Sequence, residues 1–197
     1  EGIKSVVSAM LILSLAYCIN AISKTLGTSN YVISVTESWM TPVTLLALTF
    51  AVCAFMSFFT GTSWGVYAIM IPIAMPLAFN MAGGEATNLV YATIAAVMGG
   101  GCFGDHCSPV SDTTIKASMA AGCDHIQHVR TQLPYALTSG LSAFVAYIVA
   151  GLVNNTLIGV VTAIVIAITA INVQNKLAVK RYADYDFSGE AINPNLV

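Results

Sequence analysis

Two carboxylates, Asp105 and Asp112, lie seven residues apart in a stretch dense with hydroxyls, Ser108, Ser111, Thr113 and Thr114, within a chain that otherwise avoids charge. Carboxylate, hydroxyl and carbonyl oxygens together form the donor set that hard cations prefer. A buried carboxylate can hold either a proton or a cation, and mutually exclusive occupancy is the simplest chemistry of exchange. Asp105 and Asp112 are therefore candidate ligands of a hard cation, with Ser108, Ser111 and Thr113 as further oxygen ligands. A second hydroxyl pair, Thr62 and Ser63, sits in "GTSWG". His106 either tunes its neighbour Asp105 or packs. Lys116, at i+4 from Asp112, is a counter-charge to it or part of the coupling. Asp124, His125, His128 and Arg130 read as a solvated loop, with gating by a salt bridge as the alternative for Asp124 and Arg130. Cys102, His106 and Cys107 match no familiar zinc spacing. A membrane hydrolase using two Asp and a metal lacks a nucleophile–base pair, so no enzyme and no cofactor are expected.

The rest of the chain says where such chemistry would take place. Of 197 residues, 57% are apolar and 8% charged, against roughly 25% charged in an ordinary soluble domain. Mean hydropathy is +0.80, which points to a membrane protein whose first partner is the lipid bilayer. The net charge of −2 and the scattered basic residues give no nucleic-acid footprint. Five cysteines, an odd number with no CxxC pair, read as reduced packing residues. The chain opens at Glu1 without a charged n-region and short apolar core, so no signal peptide is expected, and it looks like part of a longer protein.

A helix needs about 20 residues to cross roughly 30 Å of hydrocarbon. Ile3 to Ile22, flanked by Lys4 and Lys24 and carrying Asn20 as an interhelical hydrogen-bonding group, meets that length. "GTSNYVISVTESW" follows, an interfacial stretch with Glu37. The apolar run from Pro42 to Met81 would be about 60 Å long as one helix, twice the bilayer's depth. It must turn at "GTSWG", as a re-entrant hairpin or as two full spans, with Gly65, Pro72 and Pro76 as candidate hinges. Thr87 is the expected cap of "NLVYATIAAVM", which the Gly99–Gly101 run and Gly104 interrupt about 12 residues in. Unwinding at these glycines and Pro109 would bare carbonyl oxygens at about half the membrane's depth, as in discontinuous transporter helices. A short helix, "VSDTTIKASMAA", resumes before Gly122, and the pair reads as a discontinuous membrane helix or as a second hairpin. Leu133–Val153 and Thr156–Val173 are ordinary spans joined by Asn154 and Asn155, whose "NNT" sequon reads as accidental. The domain division is 1–175 for the membrane domain and 176–197 for a polar tail. Arg130, Lys176, Lys180 and Arg181 fall on one side, which the positive-inside rule makes cytoplasmic.

At "GCFGDHCSPVSDTTIKASMAAGCDHIQHVRTQLPYAL" (Gly101 to Leu137) and "GTSWGVYAIMIPIA" (Gly61 to Ala74) the chain resembles the NhaC-type Na⁺/H⁺ antiporters of the ion-transporter superfamily. "LGTSNY" at the end of the first span is also similar, and the likeness runs from Glu1 to Val173. The resemblance implies an all-α polytopic fold, one half of an inverted-repeat transporter, in which a hairpin tip and a broken helix meet at the site. It maps Asp105, Ser108, Ser111, Asp112 and Thr113 to the polar motif and Thr62 and Ser63 to the tip. It implies a missing N-terminal half as partner and Na⁺/H⁺ antiport in the cell membrane, with Na⁺ at Asp105 and Asp112 and no cofactor beyond the transported Na⁺ and H⁺; a homodimer is a separate option. The alternatives are a Na⁺-coupled organic-anion carrier of malate/lactate type, an amino-acid carrier, and a non-transporting interaction fragment.

Overall fold

The computed structural model describes residues 25–36 and 39–181, together with 7, 10, 11, 14, 15, 18, 21 and 22. The expected first span is helical at its described positions, but Lys4, Asn20 and Lys24 lie outside the described residues, as do Glu37 and the tail beyond 181. After that span the described residues form seven helices, and no described residue is in a strand: α1 (Thr28–Thr36), α2 (Pro42–Thr60), α3 (Ser63–Met81), α4 (Asn88–Cys107), α5 (Asp112–Ala121), α6 (His125–Val153) and α7 (Thr156–Arg181). Four of them, α2, α3, α6 and α7, are long and apolar enough to cross a membrane.

The long apolar run resolves into a helical hairpin. Thr41 starts α2 with a reciprocal cap, its hydroxyl accepting from Thr44 N (3.2 Å) while its own N–H donates to Thr44 Oγ1 (2.7 Å). Gly61, at φ +68°, ends α2 in the left-handed region, and Thr62 caps α3 by accepting from Gly65 N (3.4 Å). Each arm has 19 residues, about 28 Å. Pro72 and Pro76 lie inside α3 and Pro134 inside α6 without ending them. The second tight link, Asn154–Asn155, serves both neighbours. Asn154 closes α6 at φ 52°, and the Asn155 side chain accepts from Leu157 N (3.0 Å) and Ile158 N (3.3 Å) to open α7.

The glycine run departs from expectation. α4 is continuous for 20 residues and unwinds only after Cys107, so the interruption spans Ser108 to Ser111. Thr87 occupies the N-cap position without a side-chain cap bond. The glycines are there for close packing. A Cβ on Gly99 would stand 2.9 Å from the Tyr147 hydroxyl of α6, one on Gly100 would collide with Phe50 O of α2, and one on Gly101 with the Tyr67 ring of α3. Successive helical positions turn by about 100°, so three consecutive glycines admit three different neighbours to the same turn. Gly104, one turn beyond Gly100, would drive a Cβ into Ala54 O and to 2.7 Å from Phe58 N. α4 is thus the centre of the packing, held to α2 by a small-xxx-small seam.

Polar bonds reinforce it. Ser57 Oγ donates to Gly101 O (2.7 Å), Tyr67 to Met98 O (3.0 Å) and Tyr147 to Ala95 O (2.8 Å). The apolar cluster around Leu46, Phe50, Ala78, Val90 and Ala96 fills the space between α2, α3 and α4. α7 leans on α6 through Gly159 and Ala150 and continues to Arg181, so the boundary expected at 175 falls inside a helix.

Gly104→Ala decides between the two roles of these glycines. An ordinary helical glycine gains about 0.5–1 kcal/mol on conversion to Ala. Here the added methyl meets backbone, so the full-length protein is expected to lose about 1–3 kcal/mol, read as a lowered thermal midpoint in detergent; a raised midpoint would contradict the packing role.

Candidate functional site

The hairpin tip and the interruption touch. A Cβ on Gly61 would lie 2.8 Å from Val110 O and 3.0 Å from Ser111 N, so the missing side chain is what lets the tip sit on the unwound segment. Ser108, fully buried, donates to Phe58 O (2.6 Å) in the last turn of α2 and accepts from Val110 N (3.2 Å). It ties the break to the hairpin just below its tip.

Asp105 lies in the last turn of α4, one turn past Gly101 and on the same face. Gly101 admits Tyr67 of α3; Asp105 therefore meets Ser63, one turn before Tyr67. Ser63 Oγ donates to Asp105 Oδ2 (3.1 Å), and Ser111 Oγ donates to Oδ1 (2.5 Å). Ser111 is fully buried and also accepts from Thr113 N (3.1 Å). Its hydroxyl has one proton, given to the carboxylate, so the 2.6 Å contact with Thr113 is Thr113 Oγ1 donating to Ser111 Oγ. A hydroxyl chain thus runs from Thr113 through Ser111 to Asp105. Asp105, His106 and Thr113 line a cleft of 580 Å³ with Phe50, Cys102 and, from α6, Gln132.

The expected residues therefore divide. Asp105, Ser63, Ser111 and Thr113 come together, with Ser108 and Gly61 holding the two segments in contact. Thr62 serves as a helix cap beside them. Asp112 does not join them. It opens α5, 69% exposed, and pairs with Lys116 at 2.5 Å; an anion in a helix's first turn is favourably placed against the helix dipole. Asp105, at the opposite end of such a dipole, stands beside carbonyl oxygens that favour a cation. Asp105 forms no ion pair with a described residue. Among the described residues there is also no cluster of His, Cys, Asp and Glu that could hold a metal in the usual way.

Two sequence expectations change. The unwound carbonyls are largely engaged: Asp105 O accepts from Ser108 N (3.3 Å), Ser108 O from Ser111 N (3.4 Å), and His106 O from Thr114 Oγ1 (3.3 Å) and Gln132 Nε2 (3.0 Å). The Asp124–Arg130 stretch, expected as a loop, begins a helix. Asp124 caps α6 by accepting from Gln127 N (2.9 Å), and Arg130 is exposed on that helix away from the cleft. His125, counted with that loop, instead straps the break. Its Nε2–H donates to Pro109 O (2.7 Å), while Nδ1 contacts Ser118 Oγ of α5 (3.2 Å). No spacing signals this, because it depends on α5 folding back by ten residues.

A helical hairpin whose tip packs on an interrupted helix beside a hydroxyl-bound carboxylate, in a chain with four helices suited to crossing a bilayer, defines the class: a polytopic membrane protein built like a secondary transporter. The family model described as "Na+/H+ antiporter family" matches residues 1–152. The chain belongs to that family. It is 40% identical over 114 residues to an uncharacterized Na(+)/H(+) antiporter of Haemophilus influenzae, covering 56% of this chain and 22% of the relative. It is 35% identical over 116 residues to the malate-2H(+)/Na(+)-lactate antiporter of Bacillus subtilis, 56% of this chain and 24% of that one. It is 30% identical over 152 residues to the Na(+)/H(+) antiporter NhaC of Alkalihalophilus pseudofirmus, 77% and 32% respectively. The match thus spans at most about a third of these relatives' length. No solved structure shows a significant match.

Ser108→Ala and Asp112→Asn separate what holds the break from what decorates it. Removing Ser108 leaves a buried carbonyl short of its donor and should cost about 1 kcal/mol or more. Asp112→Asn breaks only an exposed pair and should stay within about 0.5 kcal/mol. Thermal unfolding of the two full-length variants measures both.

Proposed function

We propose that the full-length protein exchanges Na⁺ for H⁺ across the cell membrane, with Asp105 as the carboxylate that holds either ion in turn. The observation that carries this reading is the placement of Asp105 between Ser63 of the hairpin tip and Ser111 of the break, lining an open cleft with no cationic side chain among the described residues paired to it. Each carboxylate oxygen accepts one serine proton and keeps lone pairs for a cation. When a proton arrives, one serine turns from donor to acceptor, so the same two hydroxyls serve both states. The chain from Thr113 through Ser111 gives the proton a route from the cleft, and the carbonyl end of α4 favours a cation there.

In this reading Asp112 is the surface partner of Lys116 and not a second carrier. This chain contributes one side of the site, and the part of the protein outside it contributes the other. The basic residues Arg130, Lys176, Lys180 and Arg181 favour a cytoplasmic C-terminus.

The cleft supports a second reading. Its 580 Å³ lies in the range of small-molecule sites, about 300–1,000 Å³, and exceeds what one bare cation fills. A Na⁺-coupled carrier of a small organic anion or amino acid would use the same carboxylate for Na⁺ and the cleft for solute; one relative is named for malate and lactate. Uptake of labelled malate, lactate or amino acid that requires Na⁺ would favour it.

The test of the first reading is Na⁺-driven proton movement in everted vesicles carrying the full-length protein. Asp105→Asn should lower it by about 100-fold or more, equivalent to about 2.7 kcal/mol, while Asp112→Asn keeps most of it. Wild-type exchange in Asp105→Asn, with unchanged Na⁺ dependence, would remove the assignment.

A further inference from the structure

Gln132 stands on α6 across the cleft from the last turn of α4. Its Nε2 donates to the His106 carbonyl at 3.0 Å. A carbonyl only accepts, so the amide's nitrogen must face it and its oxygen must point the other way. That oxygen, Oε1, is buried and finds no hydrogen-bond partner among the described residues. It belongs to a residue lining the same cleft as Asp105 and Thr113. A buried acceptor left without a partner is unfavourable and rare in folded proteins, and an amide oxygen is a good ligand for a hard cation.

We propose that Gln132 Oε1 is a ligand of the cation held by Asp105, so that the site pairs one carboxylate with one neutral amide oxygen across the cleft. The proposal rests on the reading of Asp105 as the cation-binding group. Its chemical consequence is that this chain's side of the site carries a single negative charge. That one charge matches a monovalent cation and only half of a divalent one, so a neutral amide in place of a second carboxylate on this side favours Na⁺ over Ca²⁺, affinity following ligand charge count. The bond to His106 fixes the amide's orientation, and His106 follows Asp105 directly in sequence, so the two ligands are tied through one turn of backbone.

The experiment measures Na⁺-driven proton movement against Na⁺ concentration, with and without millimolar Ca²⁺, in vesicles carrying the full-length protein. Gln132→Met keeps the side chain's length and removes the oxygen. Half-saturating Na⁺ should rise about tenfold, a loss of about 1.4 kcal/mol, with the maximal rate kept within about twofold. Gln132→Glu keeps an oxygen and adds a charge. Half-saturating Na⁺ should stay within about threefold, while Ca²⁺, without effect on the wild type, becomes an inhibitor. Thr114→Val removes the other bond to the His106 carbonyl and should change neither quantity, which separates ligation from a merely structural tie.

Unchanged Na⁺ dependence in a normally abundant Gln132→Met overturns the proposal. If that variant fails to accumulate, a Gln132→Glu protein with no gained Ca²⁺ sensitivity overturns it instead. Asp105→Asn is assayed alongside. If it keeps full exchange, the reading of Asp105 itself fails; if it is inactive while both Gln132 variants behave as wild type, only the amide ligand is lost.

Discussion

The contact between the backbones of α4 and α2 determines what the remaining helices can do. Gly100 and Gly104 bring α4 against Phe50, Ala54 and Phe58 at a distance that no Cβ would allow. In a bilayer, where lipid tails compete with apolar side chains on equal terms, such close approach is a main source of helix association. Its effect here is positional. With α4 fixed in rotation by that seam, Gly101 and Asp105 turn toward α3, and Gly99 and Phe103 turn toward α6, where the Phe103 ring lies against Gly140. Asp105 reaches Ser63 because Gly101, one turn earlier, has already admitted Tyr67.

The same seam sets the end of α2 beside the end of α4. Phe58 O is then within reach of Ser108, and Gly61 can press its bare α-carbon on Val110 and Ser111. The interruption is therefore a built segment, braced from α2 by Ser108 and from α6 by His125. The unwound turn gains bonds on both sides to replace the helical ones it gives up, as backbone in an apolar setting must. Beside it, Asp105 and Thr113 line the cleft from the two helices that the turn joins.

The hairpin, the interruption and the identity of the polar motif were legible in the sequence, because glycine, proline and clustered hydroxyls stand out against an apolar background. The site of the interruption was displaced. Gly99–Gly101 and Gly104 look like helix breakers when only backbone freedom is considered, yet a helix packed on three sides needs small residues for another reason, and one sequence cannot separate the two. Asp105 and Asp112 also look alike on paper. They differ because the chain unwinds between them, leaving one at the carbonyl end of a helix and the other at the amide end of the next, where Lys116 pairs with it. Gln132 and His125 were not legible as site neighbours, since their contacts depend on α5 turning back and α6 returning along α4.

A single carboxylate that takes a proton or a cation can be read directly by carbodiimide labelling, which adds to protonated carboxyl groups. Mass-spectrometric mapping of the labelled full-length protein would compare Asp105 with Asp112 across a range of Na⁺ at fixed pH. Competition at one site predicts that Na⁺ protects Asp105 and leaves Asp112 indifferent. Labelling of Asp105 that does not respond to Na⁺, or protection of Asp112 in its place, would contradict it.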